Sequence, residues 1–279
     1  SAAVTGASGV NSDTASAIAE RILARALVEK GRLDAMPGQA APTELPTAAL
    51  PAELAESIPG VYVSFSDVMK FDIEAQGILS MYAHRSGSWV KAFEGLSYRS
   101  DGWFVSSVEG IPPLLFSFIR SDGRAYVAMR MPSTNGWHRN TMIFAQKLEK
   151  AKPLSSAWQS RIGKTWLPIN FSSADAYLSP NTDPRFKLLA VDGAEGYIFS
   201  SSTDGLSTTL PKEEGDDEAR SFILIPGING RDLYDVTVFR HGDEEWLRGA
   251  STLYRPLDTV PVSTQDEAAV TIGPEGYTE

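Results

Sequence analysis

The chain has no cysteine among its 279 residues, which excludes disulfides, thiol nucleophiles and zinc–thiolate sites together. That absence leaves the compartment open. Ala2-Ala3-Val4 is not a signal peptide, so export to the periplasm or out of the cell would need a signal upstream of Ser1. Histidine is nearly as scarce: His84, His138 and His241 are the full set, and no two are spaced His-x-His or His-x-x-x-His. A multi-histidine metal centre is therefore not expected. No apolar run approaches the ~18 residues of a membrane-spanning helix, so no membrane insertion is expected. Lys and Arg number 25 against 35 Asp and Glu, a net charge of −10. A chain of that sign, with no basic cluster, is unsuited to nucleic acid or to anionic membrane surfaces.

The short catalytic signatures are missing as well. No Gly-x-Ser-x-Gly elbow presents a serine on a strained turn. Gly227-Ile228-Asn229-Gly230 reads as a turn, not as a phosphate-binding loop, and no cofactor is expected. One Ser-x-x-Lys match exists, Ser88-Trp89-Val90-Lys91, but it lies in an alternating stretch where a strand would send Ser88 and Lys91 to opposite faces. Lys164-Thr165-Trp166 lacks the glycine of a Lys-Thr-Gly strand, and Ser1 has no base partner nearby. A Ser-His-Asp triad stays open, because its members need not be close in sequence.

What is present is periodicity. Ser12 or Asp13 can cap a helix whose apolar positions are Ala15, Ile18, Ile22 and Ala26, with Leu23 and Leu27 beside them, and Gly31 stops it. A single helix with an apolar stripe must pack on something. Residues 36–53 hold Pro37, Pro42, Pro46 and Pro51 and read as an extended linker. From Gly60 the period becomes two. Strands are expected at residues 61–65, 78–82, 89–93, 103–108, 114–119, 124–131 and 141–148, then at 186–191, 197–200, 221–225, 233–239 and 250–254. Ser86-Gly87, Asp101-Gly102, Asp122-Gly123, Asp192-Gly193, Asp204-Gly205 and His241-Gly242 supply the turns.

The two strand-rich halves begin alike. Leu54, Ile58 and Tyr62 match Trp158, Ile162 and Trp166 at one constant offset, each set a helical turn running into an aromatic strand start. The expected fold is mainly β: two antiparallel lipocalin-like barrels, or sandwiches, preceded by one amphipathic α-helix and a Pro-rich linker. The divisions fall at 1–35 (strand–helix remnant), 36–53 (linker), 54–150 and 151–258 (the two β units) and 259–279 (tail).

For ligand contact the tryptophans are the main resource. Trp89, Trp103 and Trp137 are the candidates, with His138 beside Trp137 in the polar loop 133–139. The acidic run from Glu213 to Glu218 reads as a solvated loop, a cation site being the lesser alternative.

Val4-Thr5-Gly6-Ala7-Ser8-Gly9 followed by Asp13 to Lys30 resembles the end of the catalytic domain in the serine β-lactamase-like family, which includes penicillin-binding proteins and related peptidases and esterases. In that family a late core strand leads into a C-terminal helix packed on the sheet. Some members, D-aminopeptidase-like ones among them, carry lipocalin-like barrels behind it. The resemblance implies a bacterial serine hydrolase whose catalytic domain lies upstream on the same polypeptide. This chain would then be its non-catalytic accessory region, shaping substrate access or assembly. Two alternatives stand beside it: a binding module for a small apolar or glycan ligand, and a structural or assembly module, including a homo-oligomer.

Overall fold

The computed structural model describes residues 12–37, 45–106, 114–132, 139–170, 185–202, 205–227, 234–249 and 252–262. Its body is two closed antiparallel barrels of eight strands each, joined in sequence order. The first contains β1 (Gly60–Val63), β2 (Val68–Ile73), β3 (Leu79–Arg85), β4 (Ser88–Tyr98), β5 (Phe104–Val105), β6 (Leu115–Ser121), β7 (Arg124–Pro132) and β8 (Arg139–Lys147). It closes where Tyr62 lies opposite Lys147 and Val63 opposite Gln146. The second contains β9 (Thr165–Pro168), β10 (Phe186–Leu189), β11 (Ile198–Ser202), β12 (Gly205–Pro211), β13 (Glu218–Ser221), β14 (Val236–His241), β15 (Glu244–Gly249) and β16 (Thr252–Pro256). Its closing pair is β9 with β16, Trp166 opposite Pro256. Closure removes the free edges that a sheet of this length would otherwise expose.

Tight hairpins set the register. Ser86 and Gly87 both have positive φ, as do Asp122 and Gly123, and the flanking residues pair directly: Arg85 with Ser88, Ser121 with Arg124. Those are two-residue turns whose twist matches the strands they join.

Alternation fills the first barrel with large side chains. Tyr62, Phe71, Leu79, Leu96, Phe104, Phe116 and Val127 are buried in one cluster, with Phe93, Phe118 and Met129 packed on it. Phe71 sits at its centre, edge-on to Tyr62 at 5.2 Å, Phe118 at 5.1 Å and Phe116 at 5.7 Å. The second barrel encloses Trp158, Trp166, Phe186, Leu188, Ile198, Val236, Val238 and Leu247.

Each barrel is approached by a short helix, α2 (Ala52–Ser57) and α3 (Ser156–Arg161), placed at the offset that relates Tyr62 to Trp166. In the first, the Tyr62 hydroxyl donates to the Ile58 carbonyl at 2.9 Å. In the second, Ser155 caps α3 by accepting from the Trp158 amide, and the Arg161 guanidinium lies 4.7 Å from the Trp158 ring. The last part of the proline-rich stretch is docked: the Ala48 amide donates to Tyr98 O, the Ser100 amide to Pro46 O, and Leu50 packs on the first core.

A third apolar core joins the barrels. Val61, Val63 and Val68 from the first meet Val191, Ala194, Tyr197 and Phe199 from the second. Polar bonds cross the same seam. The Leu206 amide donates to Ser66 O at 2.9 Å, the Tyr126 hydroxyl to Leu224 O at 2.9 Å, the Leu224 amide to Gln146 Oε1 at 2.8 Å and Trp89 Nε1 to Asp192 O at 3.3 Å. Burying apolar surface and satisfying polar groups together is what makes such a contact rigid. It also explains why β7, read as half-buried from sequence, buries Val127 inside its barrel and Tyr126 against its neighbour.

The N-terminal helix α1 (Ser12–Glu29) forms as its spacing predicts. Its stripe is only partly covered: Ala24 is buried, whereas Ile18, Ile22 and Leu23 are exposed. Three strands are absent from the sequence expectation, β2, β12 and β15. Residues 222–225, expected as strand, lie beyond β13. No helix among the described residues is long and apolar enough to cross a membrane.

Candidate binding cleft between the barrels

The seam does not close completely. At one margin a cleft of about 420 Å³ opens between the barrels. Its floor and one wall come from the turn Ser66-Asp67-Val68 and the hairpin His84-Arg85-Ser86-Gly87; Leu189, Ser201, Gly205 and Leu206 of the second barrel face them. That volume lies within the range of small-molecule sites, which favour domain boundaries.

The walls follow from strand geometry. The β1–β2 turn is held by Ser64, whose amide donates to Asp67 O while its hydroxyl accepts from the Asp67 amide at 3.1 Å. The β3–β4 hairpin stands beside it because β2 and β3 are paired in register. The second barrel comes within hydrogen-bond distance of that turn at Gly205. A Cβ there would sit 2.3 Å from Ser66 O, so the close approach requires glycine.

Two opposite charges stand in the cleft. Arg85 Nη2 is 3.4 Å from Asp67 Oδ1, a loose pair with both side chains well exposed. Behind them His84 is only 6% exposed, its ring edge-on to Trp89 at 5.3 Å, and its Nδ1 finds no partner in the protein. Burial first, and the Arg85 charge second, hold the His84 imidazole below its ordinary pKa.

This gives a pH prediction. His84 is lowered in the folded state from 6.5, so the unfolded chain binds the proton more readily. Stability is therefore full above that value and falls as pH drops through it toward the folded pKa. The urea midpoint should fall between about pH 7.5 and about pH 5.5, and His84→Phe, which keeps a ring against Trp89, should shrink that fall. An unchanged fall in the variant would assign the acid sensitivity to other groups.

A second hollow, about 380 Å³, lies between residues 150–155, Trp158 and the acidic run. Glu213 pairs with Lys152, Ser155 donates to Asp216, and Glu218 pairs with Lys212 and Arg220. Among the described residues, no three His, Asp or Glu side chains gather as a metal site would need. The strongest carboxylate shift lies elsewhere: Glu244, bound bidentately by Arg255 and by Trp246 Nε1, is lowered to about 2.

Of the sequence candidates among the described residues, Trp89 and Trp103 are not brought together. Trp89 starts β4, against the seam, while Trp103 lies beyond the far end of the same strand, roughly 30 Å along it at the usual strand rise. There Trp103 is covered by the Arg130 guanidinium at 4.1 Å. Trp137 and His138 lie outside the described residues. Ser88 and Lys91 are apart as alternation predicts: Ser88 Oγ donates to Arg85 O, and Lys91 is held by Glu74 at 3.1 Å and Glu94 at 3.3 Å. His241 packs on the Trp246 ring at 4.3 Å.

Sequence reasoning passed over Asp67 and Arg85, and it took His84 only as one of three scattered histidines. The available signal was weak: His84 precedes Arg85-Ser86-Gly87, and nothing in the sequence says that a second barrel covers this hairpin. Comparison of the chain with protein-family models, with curated proteins and with solved structures finds no match.

Proposed function

We propose that this chain is the accessory region of a bacterial serine hydrolase of the β-lactamase-like class. In this reading its two barrels form one rigid wall that shapes access to, or assembly of, a catalytic domain carried upstream. The observation that carries the reading is α1. Ile18 and Ile22, one helical turn apart, are 47% and 53% exposed, and Leu23 beside them is 38% exposed. Exposed apolar residues grouped on one helix face favour a partner surface, and the resemblance of residues 2–30 names a catalytic domain as that partner. The seam supports the same role, because barrels bonded through both apolar and polar contacts move as one body.

Two measurements test this. The purified chain should not hydrolyse nitrocefin, p-nitrophenyl esters or D-amino-acid amides, and should resist a fluorescent penicillin or phosphonate; stoichiometric labelling of any serine overturns the reading. Sequencing the reading frame upstream of Ser1 should meet a Ser-x-x-Lys motif at a helix N-terminus. A frame that holds none removes the hydrolase parent.

The cleft favours a second reading, a binding module. The interior of the first barrel is occupied by its own aromatic side chains, so a ligand site is better supported between the barrels than inside that one.

A further inference from the structure

We propose that the cleft between the barrels binds a small zwitterion, an α-amino acid or short peptide with an apolar side chain, its carboxylate on Arg85 and its ammonium on Asp67. This does not rest on the hydrolase reading. It stands on the cleft and on the charges inside it.

The lining has three parts. Arg85 and Asp67 offer one positive and one negative group side by side, 3.4 Å apart and both open to solvent. Ser66, Ser86 and Ser201 add hydroxyls around them, while Val68, Leu189 and Leu206 supply an apolar wall. A ligand with a single charge would leave the other member of the pair without its partner. A zwitterion replaces one loose contact with two charge-assisted ones. Opening the existing pair costs little, since exposed ion pairs contribute about 0–1 kcal/mol. A guanidinium gains more from a carboxylate that meets it with two parallel bonds.

The geometry beneath the pair favours the same ligand. His84 lies behind Arg85, buried, and carries no charge around neutral pH, so it does not compete for either end of the zwitterion. Arg85 has a second anchor of its own, donating through Nη1 to the His84 carbonyl at 3.1 Å, which directs the guanidinium along the hairpin. The apolar wall comes mainly from the second barrel. Residues that select the ligand's side chain therefore sit on one barrel, and those that hold its charges on the other. Binding should consequently tighten the seam as well as fill the cleft.

The experiment is calorimetric titration of the full chain with free leucine and with the dipeptide leucyl-leucine, beside N-acetyl-leucine, which lacks the ammonium, and leucinamide, which lacks the carboxylate. At least one zwitterion should bind, and its singly charged analogues should bind at least about 10-fold more weakly. Arg85→Met and Asp67→Asn, each on an exposed side chain, should keep the parent's unfolding midpoint and lose about 10-fold or more in affinity. Leu206→Ser should weaken leucine more than glycine. The proposal is overturned if neither zwitterion binds at millimolar concentration. It is equally overturned if the acetylated or amidated analogue binds as well as leucine, or if folded Arg85→Met and Asp67→Asn bind like the parent. The hydrolase reading fails on other measurements, serine labelling and the upstream frame, so the two outcomes are distinguishable.

Discussion

Gly205→Ala should destabilise the protein by about 2–4 kcal/mol and loosen the barrels from one another. Gly205 has φ +119, and its added Cβ would meet the Ser66 carbonyl oxygen at 2.3 Å, the Ser66 Cβ at 3.1 Å and the Ser66 carbonyl carbon at 3.2 Å. Two of those three atoms are backbone, so no rotamer change relieves the overlap; the second barrel must move off the β1–β2 turn. That motion breaks the bond from the Leu206 amide to Ser66 O. The measurement is hydrogen exchange at Leu206 together with the unfolding midpoint. Leu206 should lose protection while amides deep in each barrel, such as Phe71 and Leu247, keep theirs up to the lower global stability. Gly87→Ala is the control. It also has positive φ, but nothing lies within 4 Å of the added carbon, so it should cost only the backbone conformation, about 1 kcal/mol. Equal losses in the two variants would show that close approach of the barrels contributes nothing.

Phe71→Ala should cost about 3–5 kcal/mol, the largest loss expected from any single truncation in the first barrel. Its ring is fully buried, and Tyr62, Phe116 and Phe118 all stand edge-on to it, so removal leaves a void that three rings cannot fill without leaving their own contacts. The seam makes the outcome more informative than a single midpoint. Val61, Val63 and Val68 belong to the first barrel and bury Val191, Tyr197 and Phe199 of the second. Destabilising the first barrel should therefore lower the second as well, and calorimetry should show the parent and the variant each melting in one transition. A variant trace that splits, with its upper transition at the parent's midpoint, would mean that the barrels unfold independently and that the seam is a weak contact.

The strands legible in the sequence share one property: one face apolar, the other polar. β7 fits that rule, and so does β3, where Leu79, Met81 and Ala83 alternate with Ser80, Tyr82 and His84. The strands that were not legible break it for separate reasons. β12 presents Ser207, Thr208 and Thr209, all buried. Hydroxyls on both faces carry no alternation signal. Two of them are bonded, Thr209 donating to Ile198 O within its barrel and Ser207 to Phe65 O across the seam, while Thr208 Oγ1 is buried without a partner in the protein. β15, Glu244-Glu245-Trp246-Leu247-Arg248-Gly249, has one fully buried residue, Leu247. Its charges are placed by distant arginines, Glu244 by Arg255 and Glu245 by Arg161. In β2, Val68 and Met69 are both buried, on opposite faces, one toward the second barrel and one inside the first.

The same limit applies to the site. Tryptophan in a polar setting is a reasonable pointer to a ligand, yet Trp89 is engaged by the Asp192 carbonyl and Trp103 by Arg130. Asp67 and Arg85 are 18 residues apart, both beside turns, and resemble ordinary solvated charges. Only the pairing of β2 with β3 sets them side by side, and only the second barrel turns that patch of surface into a cleft.

By itself, the sequence determined the order of the architecture: a helix, a proline-rich stretch, and two antiparallel β units with matching lead-ins, barrels or sandwiches being left open until the closing strand pairs are seen. Period, turn chemistry and repeated spacing are local properties, and local propensities of this kind decide which elements form. Tertiary structure alone decided how the barrels meet, where a gap remains between them and which charges face it. Those outcomes depend on contacts between residues more than a hundred positions apart, such as Ser66 with Leu206 and Val61 with Val191. The free energy of such contacts comes from surface that both partners remove from water at once, and no window along one strand contains both partners.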